Sequence, residues 1–78
     1  MSKNELLPLA KRIHAYMQQL MDDEELSHWN IADELGGEEE LQMALLATAI
    51  VEGLIEGSAA LVPIFQDIEE RLAELVQA

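Results

Sequence analysis

The chain has 78 residues, of which 16 are acidic and 4 are basic, and its formal charge at pH 7 is -12. This length leaves room for one small domain, predicted to span residues 1–78, and the lack of cysteine excludes a disulfide-stapled fold and a thiolate zinc site. The negative charge argues against direct binding to nucleic acid, because phosphates would be repelled, and a hydrophobic content of 50% is too high for a disordered acidic tail.

The first predicted element is an amphipathic helix from about Leu7 to Met21. Pro8 is expected in its first turn, where the missing N–H would have no helical partner in any case. His14 is placed on the polar flank, with no predicted partner. Apolar side chains recur at steps of three and four and form a narrow seam on one face: Leu6, Leu9, Ile13, Tyr16 and Leu20.

A second, shorter helix is predicted from Glu24 to Leu35, with Asp23 as its N-cap and Gly36 as its C-terminal stop. The only tryptophan, Trp29, lies in this helix and has two alternative roles. It is either a buried anchor that attaches the helix to the core or an exposed aromatic contact within an acidic binding surface. The predicted apolar arc covers about 160° of the helix and holds His28, Trp29, Ile31, Ala32 and Leu35.

The third helix is predicted from Glu38 to Glu56 and is apolar on nearly every side, so it must be surrounded by its own chain or by a partner. Ala49, Gly53 and Gly57 lie four residues apart and are predicted to form a stripe without bulky side chains. Such a stripe lets two helix backbones approach closely, and it is the predicted interface of a homodimer.

After a linker from Ser58 to Leu61, a fourth helix is predicted from near Pro63 to about Gln77. Its apolar seam comprises Phe65, Ile68, Leu72 and Leu75. The chain therefore reads as an all-α bundle of three longer helices and one short helix, and the excess of apolar surface favours a homodimer.

No membrane contact is expected from the sequence. The N-terminus lacks a basic region followed by an apolar stretch, so no signal peptide is predicted. The most apolar run, Leu41 to Ile55, is shorter than the roughly 20 residues that a helix needs to cross a bilayer. The expected location is the cytoplasm.

The charge is distributed unevenly along the chain. Residues 1–21 hold three basic residues and one acidic residue, whereas residues 22–78 hold one basic residue and fifteen acidic ones. Nine of these acids form what we call the acidic belt: Asp22, Asp23, Glu24, Glu25, Asp33, Glu34, Glu38, Glu39 and Glu40. The belt is either a solvated surface or a steering surface for a basic partner.

The residues predicted to bind this partner are those of the belt around the tryptophan: Asp22, Asp23, Glu24, Glu25, Trp29, Asp33 and Glu34. The predicted partner is a basic protein surface that normally holds DNA or RNA, with carboxylates taking the place of phosphates. The size and charge of the chain resemble those of small acidic anti-defence proteins of phages and mobile elements, such as anti-restriction and anti-CRISPR inhibitors. This resemblance implies an inhibitor or regulator.

Two short motifs resemble known families. Glu25-x-x-His28 is similar to the metal half-site of ferritin-like di-iron bundles. A metal-binding helical dimer is therefore an alternative. The leading prediction is that the chain binds neither a metal nor another cofactor. The run Ile31 to Gly36 looks like the first helix and turn of a helix-turn-helix, but the following helix opens with three glutamates that would repel DNA.

The sequence gives little support for catalysis. It has no cysteine nucleophile and no glycine loop that could cradle a phosphate. The leading interpretation is therefore a non-catalytic protein-interaction module, with a metal-binding dimer and a structural or assembly module as alternatives.

Overall fold

A computed structural model describes residues 3–23 and 25–77 of the chain. These residues form the helices α1 (Lys3–Asp22), α2 (His28–Leu35) and α3 (Glu38–Val51), a short 3-10 helix (Ala59–Leu61) and α4 (Val62–Gln77), with no strand among them. The predicted all-α fold is confirmed. Within this part of the chain, none of the helices combines the length and the apolar character that crossing a membrane requires.

Helix α1 lies at the centre of the fold and packs against both α3 and α4. The helix begins earlier than predicted, so Pro8 lies inside it rather than in its first turn. Pro8 cannot donate to the carbonyl one turn earlier, and that helical hydrogen bond is missing. The predicted seam does face the core, and the buried side chains of α1 are Leu6, Leu9, Ala10, Ile13, Met17 and Leu20.

Helix α4 covers the other side of α1. It begins at Val62, which places Pro63 in the first turn, as predicted, where no helical N–H is required. Its buried face consists of Val62, Phe65, Ile68 and Leu72. On the surface, Arg12 Nε donates to Glu69 Oε1 over 3.3 Å and links α1 to α4.

The predicted start of the second helix is wrong. The backbone N–H of Asp23 still donates to Gln19 O, so Asp23 extends the hydrogen bonding of α1 and cannot cap α2. The backbone then leaves the helical region, since Glu25 has a φ of 55°. Ser27 is the N-cap of α2, and its hydroxyl accepts from the backbone N–H of Asn30 at 3.3 Å.

The C-terminal end of α2 is held by Gly36 and Arg71. Gly36 adopts the predicted left-handed conformation, with a φ of 109°. Arg71 Nη1, on α4, donates to the carbonyl oxygen of Leu35 over 2.6 Å, and Arg71 Nη2 pairs with Asp67 at 3.3 Å. A cation at this end of a helix satisfies a free carbonyl and opposes the negative end of the helix dipole.

Removing this cation should loosen α2. We expect Arg71→Met to lower the free energy of unfolding by about 1–2 kcal/mol, because a charged donor to a helix-terminal carbonyl is lost. Arg12→Met is the matched control, because Arg12 is comparably exposed and makes only a surface ion pair, which is worth about 0–1 kcal/mol. Urea denaturation followed by circular dichroism at 222 nm measures both losses. An equal loss in the two variants would contradict the role of the Leu35 contact.

The predicted end of the third helix is also wrong. Helix α3 stops at Val51 and is closed by a Schellman motif, in which Gly53 N donates to Ile50 O over 3.1 Å and Leu54 N to Ala49 O over 3.0 Å. Gly53, with a φ of 77°, supplies the left-handed residue that this motif needs.

This earlier end removes the helical stripe predicted from Ala49, Gly53 and Gly57. Only Ala49 lies on α3, while the two glycines belong to the segment that follows it. Gly57 packs inside its own chain, where a Cβ atom would overlap Leu6 Cδ2 and lie 3.0 Å from Ile50 Cδ1. The assignment of these three residues to a homodimer interface therefore loses its geometric basis and is a prediction that this structure does not test.

Candidate protein-binding surface

The outer face of α2 exposes the tryptophan. The side of α2 that packs onto the bundle consists of Ile31, Ala32 and Leu35, each at most 3% exposed. Trp29 is 69% exposed, so its interpretation as a buried anchor is wrong. Trp29 and Asp33 are four residues apart on this two-turn helix, and both lie on its outward side.

The residues of the acidic belt precede α2, lie on it and follow it in the sequence. Its members lie at the end of α1, in the connection to α2, on α2 itself and in the first turn of α3. Glu24 is outside the described residues. Among the other members, Glu40 is half-buried, and the exposed ones are Asp22, Asp23, Glu25, Asp33, Glu34, Glu38 and Glu39.

The belt receives no cation from its own chain in the described residues. The ion pairs found there are Arg12 with Glu69 and Arg71 with Asp67, and all four of these residues lie outside the belt. Like charges crowded on a surface without counter-charges repel one another and create a strong negative potential. This potential attracts basic groups and raises their local concentration.

Helix stability explains only one part of the belt. Glu38, Glu39 and Glu40 occupy the first turn of α3, where carboxylates are favourable and where the N-cap Gly37 offers no side-chain hydrogen bond. Asp33 and Glu34, in contrast, lie in the last turn of α2, which contains no basic residue of its own, although Arg71 of α4 reaches the Leu35 carbonyl at the same end. Carboxylates at that end oppose the helix dipole and cost stability.

Asp22 repeats this unfavourable placement. It is the last residue of α1, whose last turn also contains no basic residue. Three carboxylates thus lie at the C-terminal ends of two helices, where the dipole is unfavourable for acids, and they are close in sequence to the exposed Trp29. Acids in such positions are expected where binding, and not helix stability, favours the residue type.

A cavity beside α2 brings together two histidines that the sequence did not connect. His14, on α1, and His28, at the start of α2, both line a cavity of about 280 Å³ together with Asp22. His14 was predicted to have no partner, but its Nδ1 atom lies 3.2 Å from Thr48 Oγ1 of α3. His14 lies three residues before Met17 on α1, and Met17 is 3% exposed, so this spacing was the available sequence signal that His14 lies beside the core face.

The predicted Glu25-x-x-His28 half-site does not form as a helical pair. Glu25 precedes α2 and has a φ of 55°, so the two side chains are not one helical turn apart. In the part of the chain that the structure describes, no group of three or more histidine, aspartate or glutamate side chains could hold a metal ion.

No protein-family model, no curated protein and no solved structure matches the chain. The exposed tryptophan, the placement of the carboxylates and the grooves of this fold are the features that indicate a function.

Proposed function

We propose that this chain is a non-catalytic interaction module that binds a basic, nucleic-acid-handling protein and inhibits or regulates it. The binding surface would comprise Trp29 and the acidic belt around it. The observation that carries the proposal is the placement of Asp22, Asp33 and Glu34 at helix ends where carboxylates are unfavourable. An anti-defence role in a phage or mobile element is the most specific form of this proposal, and it rests on size and charge.

The physical basis of binding would be steering followed by a local aromatic contact. The uncompensated carboxylates attract a surface that carries lysine and arginine for phosphate binding, and this attraction accelerates encounter and weakens in salt. Trp29 can then place its ring face against an arginine or lysine side chain, and the neighbouring acid groups satisfy the cation. A protein occupied in this way could not hold its nucleic acid.

The experiment begins with affinity capture from a lysate of the organism that encodes the chain, at low and high salt, with the Trp29→Ala variant in parallel. For the partner so identified and purified, we expect Trp29→Ala to weaken binding by about 30-fold, the usual effect of removing a hot-spot aromatic. Asp33→Lys with Glu34→Lys should weaken binding further and reduce its salt dependence.

The matched control is Glu70→Lys with Glu74→Lys. These exposed residues of α4 lie outside the belt, and the double substitution changes the net charge by the same amount. We expect the control to weaken binding by less than about threefold, because charges outside the contact surface contribute mainly to long-range steering. Equal weakening by both pairs, or no effect of Trp29→Ala, would contradict the proposed surface.

The same Asp33→Lys and Glu34→Lys variant should be more stable than the natural chain. Each lysine removes an acid from the negative end of the α2 dipole, and because Arg71 already places one cation there, the expected gain is about 0.3–1 kcal/mol for the pair of substitutions. Thermal unfolding followed by circular dichroism measures this gain. A variant that loses stability would indicate that these carboxylates support the fold, and the proposal would lose its main support.

A second candidate function is self-association through an apolar patch near Gly57. Leu54 is 72% exposed, and Leu7 and Ile55 line one surface cavity with exposures of 43% and 41%. Burying these side chains against a second copy would form a homodimer or an assembly module. Sedimentation equilibrium tests this candidate, because Leu54→Glu should convert a dimer to a monomer, and a natural chain that sediments as a monomer would remove it.

A further inference from the structure

A groove lies between α3 and α4. Both helices pack mainly against α1, which leaves space between them of about 650 Å³. The apolar part of the groove comes from Met43 on α3 and from Pro63, Ile64 and Ile68 on α4. Ile68 is buried, but Ile64 is 44% exposed, so apolar surface is open to an incoming side chain.

The rim of this groove is acidic. Glu39 and Glu40 come from the first turn of α3, Asp67 comes from α4, and the lining contains no lysine or arginine. Arg71 compensates Asp67 over 3.3 Å, but its other nitrogen is occupied by the Leu35 carbonyl. The two glutamates on the α3 side have no ion pair in the described residues.

We propose that this groove binds an amphipathic, basic α-helix of a partner protein. The apolar stripe of such a helix would lie on Met43, Pro63 and Ile64, and lysine or arginine side chains flanking the stripe would reach Glu39, Glu40 and Asp67. An amphipathic helix in an apolar groove is a common mode of recognition, and the rim selects for positive charge. A second copy of this chain is disfavoured as the occupant of the groove, because the chain has 4 basic residues against 16 acidic ones and so offers few cations to the acidic rim.

The inference rests on the proposed function only for the basic character of the partner, and it shares Glu39 and Glu40 of the acidic belt with that function but uses no residue of α2. It adds a second contact with a different shape requirement. The α2 surface would recognise charge and one cationic group, whereas the groove would recognise a helical element with apolar residues at steps of three and four.

The test uses the full chain labelled with ¹⁵N and a synthetic peptide of about 18 residues, or five helical turns, with leucines on one face and lysines on the other. We expect amide chemical shifts to change at residues 39–43 and 63–68. A scrambled peptide of the same composition should bind at least about tenfold more weakly, because it keeps the charge and loses the apolar stripe. Equal binding of the two peptides would overturn the inference.

Ile64→Lys should weaken binding of the amphipathic peptide by about tenfold or more. Leu45→Lys is its control, since Leu45 is 39% exposed, lies outside the groove and gains the same charge. Glu39→Lys, at an exposed position, is a second groove variant. We expect it to bind the amphipathic peptide more weakly, and its binding should depend less on salt concentration. Circular dichroism at 222 nm verifies that all three variants remain helical.

The outcomes separate this inference from the proposed function. Three results would overturn it: peptide-induced shifts around Trp29 instead of the groove, equal weakening by Ile64→Lys and Leu45→Lys, or a groove covered by a second copy in solution. Groove binding that persists while Trp29→Ala leaves the affinity for the native partner unchanged would support the groove and contradict the proposed Trp29 surface.

Discussion

Phe65→Ala should lower the free energy of unfolding by about 3–5 kcal/mol, whereas Trp29→Ala should change it by less than about 0.5 kcal/mol. Phe65 is fully buried in the core shared by α1 and α4, so truncation leaves a cavity that the surrounding side chains only partly fill. Trp29 is 69% exposed, and its removal leaves no cavity. Phe65 is thus assigned a role in folding, and Trp29 is assigned a role at the surface.

Urea denaturation followed by circular dichroism at 222 nm measures both changes. A domain of this size has a total stability of about 5–15 kcal/mol, so Phe65→Leu, with an expected loss of about 1 kcal/mol, serves as a milder second variant. A loss of several kcal/mol in Trp29→Ala would mean that Trp29 anchors α2, and the proposed binding surface would then lose its centre.

Gly57→Ala should cost about 1–3 kcal/mol, because the added Cβ would overlap the buried Leu6 side chain and crowd Ile50. Gly53→Ala should cost about 1 kcal/mol for a different reason. Its Cβ would meet no atom within 4 Å, but the φ of 77° at this position is unfavourable for any residue with a Cβ.

Asparagine distinguishes these two causes. Asparagine tolerates the left-handed conformation, so Gly53→Asn should be more stable than Gly53→Ala. At position 57 the larger side chain adds to the overlap with Leu6, so Gly57→Asn should be less stable than Gly57→Ala. The same order at both positions, measured by thermal unfolding, would contradict the separate roles assigned to the two glycines.

The helices that could be predicted from the sequence are those that bury only one face. Helices α1 and α4 each bury a narrow seam, so the spacing of Leu9, Ile13, Phe65 and Leu72 indicates both the helices and the faces that they bury. Helix α3 is apolar on nearly all sides, and apolar residues continue past its end to Ile55. Periodicity therefore contains no signal that selects Gly53 over Gly57 as the stop.

The candidate site was predictable in composition but not in arrangement. The acidic belt follows directly from residue counts, and its described members are exposed except for Glu40. The orientation of Trp29 could not be predicted from a helix of about two turns. The same eight residues fit a wide apolar arc, which includes Trp29, and a narrow apolar arc, which excludes it. The approach of His14 to Thr48 depends on how α1 packs against α3, which local sequence does not encode.

The exposed position of the only tryptophan also determines what its fluorescence reports. An indole already surrounded by water emits at nearly the same wavelength in the folded and unfolded chain, so unfolding should cause little spectral shift. A partner that covers the ring excludes that water and should move the emission to shorter wavelength. The natural chain therefore carries its only indole, an intrinsic optical probe, at the proposed interface.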